Sequence, residues 1–277
     1  ASTASDAEIP ATLQYLLLAR LDALQEARHT AQLAATIGRR FDRALLERVA
    51  TDEPVALDSV LRILREERII TPVDKDGSVF EFRHGLIQEA AYRSQTREDR
   101  RRAHHRIAEA LECHFPQHAA QQPDQLARHF ADAGAAAQAL PRWLAAGRRA
   151  LRASANAEAA DHLRNGLALL KQLPADDKRR EWELNLLLPL GQALLTLHGY
   201  GSAEAAAVYE RAFALCHEQM PDRQRFEVLW GRWMVSSSRE DSNFSVSEEL
   251  ASELLDAALA SKDTNLLSYA HSANANI

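Results

Sequence analysis

Cysteine, glycine and proline are scarce in this 277-residue chain, and each scarcity narrows the choice of fold. The 2 cysteines, Cys113 and Cys216, stand alone within helical patterns, so neither a disulfide framework nor a structural zinc site is expected. The 10 glycines and 9 prolines are few beside abundant Ala, Leu, Arg, Glu and Gln, which lose little rotamer freedom in a helix. The composition predicts an all-α protein in a reducing, cytoplasmic setting.

Long apolar runs and the common catalytic motifs are also missing. No stretch approaches the roughly 18 consecutive apolar residues of a membrane span. Nothing matches a phosphate-binding loop, a Gly-x-Ser-x-Gly elbow or His-Glu-x-x-His, and the Cys-His pairs at 113–114 and 216–217 lack a second pair at ligand spacing. We therefore expect a chain with no catalytic centre, metal or cofactor of its own. A net charge of −6 argues against a general attraction to nucleic acid or membrane.

Residues 26–96 predict a winged-helix-like module. Amphipathic patterns indicate helices over about 27–37, from Asp42 onward and over 57–67, and another over 10–24 within a segment, 1–25, that we interpret as a linker helix. The period then changes to that of a strand at 69–73. Asp76-Gly77 is a tight hairpin signal and is followed by the alternating segment 78–82. Three helices, one β-hairpin and a closing helix are the order expected of a winged helix.

Residues 97–277 predict a tetratricopeptide-like α-solenoid. Four helices share a small residue, a bulky residue four later, a small residue three later, and then an apolar residue. Intervening helices carry Gly147, Gly191 and Gly231, and small residues at such positions let paired helices approach closely. The last three copies are evenly spaced but further apart than about 34 residues, so armadillo- or HEAT-like stacking stays open. The four copies are Ala103/Ile107/Ala110/Leu111, Ala159/Leu163/Gly166/Leu167, Ala205/Tyr209/Ala212/Phe213 and Ala251/Leu255/Ala258/Leu259.

His84 stands where a strand is expected to run into a helix. The first turn of a helix offers unpaired N–H donors and the positive end of the helix dipole, so His84 would be placed to help hold a phosphate or carboxylate. Gln88, one turn later on the same face, would join it. The alternative is structural: His84 caps the helix and packs under Phe80 and Phe82.

Two further features have structural interpretations as well. The basic run at 97–106 suggests nucleic-acid binding, but it includes Glu98 and Asp99. The predicted helix over 57–67, which would be the recognition helix, carries the acidic Asp58. We interpret the run as a solvated helix face or an interdomain contact. The tryptophans are expected to pack between hairpins rather than stack on a ligand; they are Trp143, Trp182, Trp230 and Trp233.

Six segments of the chain together carry a resemblance to a known family; they are Ile9–Gln14, Ala19–Asp22, Ala34–Phe41, Phe82–Tyr92, His105–Leu111 and Ala153–Glu158. They resemble the region that follows the nucleotide-binding core in bacterial signalling ATPases of the STAND class, including cyclase- or kinase-fused members and large LuxR-type regulators. The resemblance covers nearly the whole chain and implies a winged helix packed on an ATPase core, with repeats acting as sensor or scaffold.

The resemblance also gives His84 a role. Related immune ATPases of animals and plants carry Met-His-Asp at the corresponding junction, and its histidine contacts the β-phosphate of ADP. Here the triplet is Arg83-His84-Gly85, which keeps only the histidine. The resemblance therefore implies that His84 contacts ATP or ADP in an intact parent protein, with no such cofactor held by this chain alone.

The function expected from the sequence is that of a regulatory and protein-interaction segment, truncated at its C-terminus, of a STAND-like signalling ATPase. Its partners would be its own ATPase core and a protein or small-molecule inducer on the repeats, with oligomerisation on activation and no membrane contact. The alternatives are a winged-helix transcription regulator that binds DNA and a stand-alone repeat scaffold.

Overall fold

The computed structural model describes residues 26–50, 54–217, 220–238 and 244–275, together with Ala19, Leu21, Ala23 and Leu24. The chain divides into two compact units, Ala1–Ala135 and Ala136–Ile277. The all-α prediction is confirmed, because the structure is 77% helical and its one small sheet has three strands within the described ranges. The predicted helix over 10–24 lies almost wholly outside the described residues.

The first unit is built from seven described helices and three short strands. Helix α1 begins near the expected residue and ends at Ile37, directly before Gly38, whose φ of 154° needs glycine. The helices are α1 (Glu26–Ile37), α2 (Arg43–Val49), α3 (Pro54–Glu66), α4 (Gly85–Arg93), α5 (Arg97–His114), α6 (Pro116–Gln121) and α7 (Pro123–Asp132), and the strands are β1 (Arg40–Asp42), β2 (Ile70–Pro72) and β3 (Val79–Phe82).

The predicted hairpin is present, but the sheet has one strand more than the sequence indicated. β3 pairs antiparallel with both β2 and β1, so β3 is central. Phe41 of β1 lies opposite Phe80 in the register, and the two rings stack with their centroids 6.0 Å apart. Phe82, fully buried, contacts Phe41 at 5.8 Å between centroids. This aromatic packing explains why a strand of only three residues forms at β1.

Helix α5 belongs to the packing of the first unit. Thr96 caps it by accepting a hydrogen bond from the backbone N–H of Asp99 at 3.1 Å. Its buried face carries Ile107 and Leu111 and packs against α1, α2 and α7. The first compact unit therefore continues through α7, past residue 96, where the sequence predicted the repeats to begin.

The second unit is a succession of antiparallel helices, each packed mainly on the next one in the chain. Such nearest-neighbour packing is the pattern of a helical solenoid. The helices are α8 (Ala136–Arg152), α9 (Asn156–Leu169), α10 (Asp177–His198), α11 (Ala203–Ala214), α12 (Asp222–Ser236), α13 (Phe244–Ser261) and α14 (Thr264–Ala275).

The predicted small-and-bulky pattern describes the packing of these helices. The small residues of all four copies are buried, as are Ile107, Leu163 and Tyr209. A Cβ built on Gly147 would lie 2.6 Å from Cγ of Leu163, and one on Gly191 would lie 2.5 Å from Cζ of Tyr209. The glycines of the intervening helices thus receive the bulky residues, as expected. Leu259, the apolar residue that ends the fourth copy, does not take part in this packing, since it is 57% exposed.

Candidate binding groove

The second unit contains an open groove of about 910 Å³, which we call the repeat groove. It is lined mainly by the alternate helices α8, α10 and α12, while α9 and α13 contribute nothing to it. Its lining residues are Arg148, Leu151, Arg152, Asn185, Leu188, Pro189, Gln192, Leu195, Thr196, Tyr200, Tyr209, Gln224, Glu227, Trp230 and Met234. A volume of this size is at the upper end of the range for ligand pockets.

One face of α10 forms the floor of the groove. Its lining residues recur at the three- and four-residue spacing of a single helix face, from Asn185 to Thr196. At 1.5 Å per residue this face is about 16 Å long. Pro189 lies within the helix and has no N–H to give to the carbonyl oxygen of Asn185, four residues earlier. That carbonyl therefore lacks its α-helical donor, and both residues line the groove.

Tyr209 reaches the groove from α11, behind the lining helices. Its ring passes between Gly191 of α10 and Gly231 of α12, and the residue is only 5% exposed. Burial raises the pKa of the Tyr209 phenol, and the negative charge of Glu227 raises it further. The hydroxyl stays protonated at neutral pH, and it has no hydrogen-bond partner among the described residues. Because Tyr209 also lines the groove, its hydroxyl can donate a hydrogen bond to a ligand there.

The α8 wall of the groove is cationic. Arg148 and Arg152 are four residues apart on one helix face, and both are exposed. In the described part of the chain neither has an ion-pair partner, whereas Arg164, Arg211 and Arg232 of the same unit are each paired with a glutamate. Two guanidinium groups in a concave surface form a site for an anionic group.

The α12 wall is aromatic and polar. Trp230 stacks on Trp233 with centroids 5.3 Å apart and meets Tyr269 at the same distance, so its ring is held against the hydrophobic core. Gln224 donates from Nε2 to Oδ1 of Asn185 at 3.3 Å, which orients two carboxamides at the floor. Trp230 was expected to serve packing alone, and the structure places it both in the core cluster and in the groove lining.

His84, the residue singled out by the sequence, lies at the surface of the first unit. It is the N-cap residue of α4, but its side chain makes no capping hydrogen bond and is exposed. His84 therefore occupies the N-cap position that the structural alternative gave it, without a capping hydrogen bond from its side chain. Gln88 does not join His84, because its amide donates to the carbonyl of Ala35 at 2.8 Å.

Two arginines have their backbones near the junction that carries His84. The backbone N–H of Phe82 donates to the carbonyl of Arg39 at 2.8 Å, which brings Arg39 beside Arg83. Both arginines are exposed, and Gly85 at the start of the helix leaves open space around its backbone. Arg39, Arg83 and His84 thus share the strand-to-helix junction, where a helix start already favours negative charge.

The basic run at 97–106 is used for contacts inside the first unit. Arg102 pairs with Asp99 at 2.6 Å, and Arg101 donates to the carbonyl of Ala133 at 3.1 Å. Arg100 lies over the ring of Tyr92 at 5.3 Å, and Arg106 donates to the carbonyl of Val49 at the end of α2. Several of these arginines are therefore committed to internal partners.

A buried histidine pair, which the sequence did not indicate, joins α5 to α7. Nδ1 of His104 and Nδ1 of His129 are 2.9 Å apart, and both side chains are about 5% exposed. Nε2 of His104 also meets the Tyr92 hydroxyl at 2.9 Å. Burial lowers the pKa of His129 to about 3, with further contributions from His104 and Arg128, and burial likewise lowers the pKa of His104. Asp132, 3.8 Å from Nε2 of His104, opposes the latter shift.

Across the ranges that the structure describes, no group of three or more His, Cys, Asp and Glu residues is placed to hold a metal ion. No described helix combines the length and apolar character needed to cross a bilayer.

Comparisons with known proteins give one relative. The chain is 30% identical over 224 residues to an uncharacterized protein of Rhizobium meliloti (strain 1021). The matched region is 79% of this chain but 22% of that protein, so the chain spans about a fifth of the length of the curated relative it matches. No family profile and no solved structure matches the chain.

Proposed function

We propose that this chain is the regulatory and protein-interaction segment of a STAND-like signalling ATPase. In this proposal the first unit senses the nucleotide state of an ATPase core, and the second unit binds a partner or inducer. The observation that carries it is the repeat groove, a polar and cationic concavity that a folded helical array offers to a ligand. The size of the Rhizobium relative supports a place within a longer protein.

The coupling rests on the strand-to-helix junction. His84 is exposed and makes no capping bond, and the backbones of the exposed Arg39 and Arg83 lie at the same junction. This arrangement supports a contact with a phosphate group. A nucleotide on the core would then bias the position of the first unit, and a two-state element of this kind can transmit the change to the interaction surface.

Limited proteolysis of the intact longer protein tests the coupling. With ADP and with a non-hydrolysable ATP analogue, we expect different cleavage rates around residues 90–125, where α4 to α7 follow the junction. Identical accessibility in the two nucleotide states would exclude the proposed coupling.

Replacing His84 by alanine in the intact protein is expected to speed ADP release. Loss of one charge-assisted or neutral hydrogen bond to a phosphate corresponds to about a tenfold faster dissociation. Stopped-flow release of a fluorescent ADP analogue measures it, with exposed His198→Ala as the control. Equal release from both variants would remove His84 from the nucleotide site.

A further inference from the structure

The repeat groove has four features that together define a ligand class. They are Arg148 and Arg152, which have no ion-pair partner among the described residues, the hydroxyl of Tyr209, the groove-facing side of α10, and the ring of Trp230. All four lie in the second unit, and each is an unused interaction in the described structure or a surface held ready by core packing.

The length and chemistry of the floor fit a peptide in extended conformation. At about 3.3 Å per residue, an extended segment of about five residues covers the 16 Å face of α10. Peptide N–H groups have acceptors in the carboxamide oxygens of Gln192 and Gln224. Peptide carbonyls have donors in the Tyr209 hydroxyl and in Nδ2 of Asn185.

The charged residues of the groove indicate which kind of peptide would bind there. Arg148 and Arg152 lie one helical turn apart, so each guanidinium is placed to take one of two nearby carboxylates. Glu227 on the opposite wall lies 3.5 Å from Arg223. A peptide that was acidic along the whole groove would be repelled by the negative charge of Glu227. The acidic side chains therefore belong at the α8 end, with apolar side chains towards Trp230 and Met234.

We propose that the repeat groove binds an extended peptide segment of a partner protein, with two acidic side chains held by Arg148 and Arg152 and an apolar side chain against Trp230. The proposal rests on the proposed function for its biological setting, since it names the partner class of the interaction surface. Binding itself needs no nucleotide and no ATPase core.

The test uses the 277-residue chain and three pools of heptapeptides with acetylated and amidated ends. The pools share aromatic and aliphatic positions and differ at two positions separated by one residue, which lie on the same side of an extended chain. These two positions are Asp/Glu, Asn/Gln or Lys/Arg. Isothermal titration is expected to show binding of the acidic pool, weakened by salt, and at least about tenfold weaker binding of the other two.

Variants assign the binding to the groove. Arg148→Gln with Arg152→Gln is expected to weaken acidic-pool binding at least about tenfold, and Tyr209→Phe about fivefold. The double variant Arg62→Gln with Arg65→Gln, which removes the same charge from exposed positions of the first unit, should bind as the original chain does. Circular dichroism verifies that each variant is folded.

Other outcomes overturn the assignment. Equal binding of the acidic and neutral pools, or arginine variants that bind normally, would exclude recognition by Arg148 and Arg152. If inorganic phosphate or ATP displaced the peptide at a concentration equal to that of the peptide, the repeat groove would be a site for small anions and not for peptides. Self-association that the arginine variants abolish, seen by sedimentation velocity, would make the occupant a second copy of the chain. Failure of peptide binding leaves the nucleotide-dependent proteolysis untouched, so the two proposals fail separately.

Discussion

Alanine at Gly231 is expected to destabilise the second unit by about 3 kcal/mol, although alanine favours helix. A Cβ at this position would overlap Cε1, Cζ and Cδ1 of Tyr209. The ring has little room to move, because Gly191 of α10 contacts it from another side and the residue is 95% buried. The gain in helix propensity of about 1 kcal/mol is smaller than the cost of the overlap. Urea denaturation followed by circular dichroism measures the change.

Further variants test whether the cost comes from the overlap with Tyr209. Gly201→Ala is the control, because a Cβ there meets nothing within 4 Å and should leave stability nearly unchanged. Tyr209→Ala alone leaves a cavity and is expected to cost about 3–5 kcal/mol. The double variant Gly231→Ala with Tyr209→Ala should cost clearly less than the sum, since removing the ring removes the overlap. Additive costs would show that Gly231 does not act through Tyr209.

Local periodicity explains what the sequence predicted about this packing. The pattern from Ala205 to Phe213 places two small residues and one bulky residue on one helix face, which follows from 3.6 residues per turn alone. That Tyr209 meets both Gly191 and Gly231 depends on how three helices come together, and no single helix carries this information. The exposure of Leu259 could not be predicted for the same reason. Its helix carries the same pattern, but the neighbouring described helices leave the residue 57% exposed.

The groove could be found only from the structure. Arg148 and Arg152 are two of many arginines in the sequence, and what distinguishes them is the absence of a described ion-pair partner combined with a concave position. The strand β1 was missed because three residues are too few for an alternating pattern, and its formation depends on Phe41 meeting Phe80. The position of His84 at a strand-to-helix junction could be predicted from the sequence alone, because a change from two-residue to helical periodicity marks it.

Acidification is expected to destabilise the first unit through the histidine pair of α5 and α7. The folded-state pKa of His129, about 3, lies below that of a histidine in an unfolded chain, about 6.5. Above about pH 6.5, His129 is neutral in both the folded and the unfolded chain, so its titration does not lower the free energy of unfolding. As the pH falls further, His129 becomes protonated in the unfolded chain but stays neutral in the folded chain. The free energy of unfolding then falls by about 1.4 kcal/mol per pH unit. Between about pH 7 and pH 4.5 the loss from His129 is therefore about 2–3 kcal/mol.

The geometry of the histidine pair explains why the folded chain resists protonation of both rings. One proton fits between the two Nδ1 atoms at 2.9 Å, so a neutral pair is satisfied by one N–H donor and one acceptor. Protonation of both rings would set two N–H groups and two positive charges against each other in a buried site, with Arg100 and Arg128 adding to the repulsion and only Asp132 opposing it.

Replacing His129 by asparagine tests the assignment, because the amide keeps a polar group near the position of Nδ1 and does not titrate. The variant is expected to lose about 2–3 kcal/mol less stability than the original chain between about pH 7 and pH 4.5. Urea denaturation at the two pH values gives the difference, and hydrogen exchange of the α7 amides locates it in the first unit. His114→Asn, an exposed position on α5, is the matched control and should follow the original chain. If His129→Asn loses as much stability on acidification as that control does, the histidine pair is not the source of the acid sensitivity.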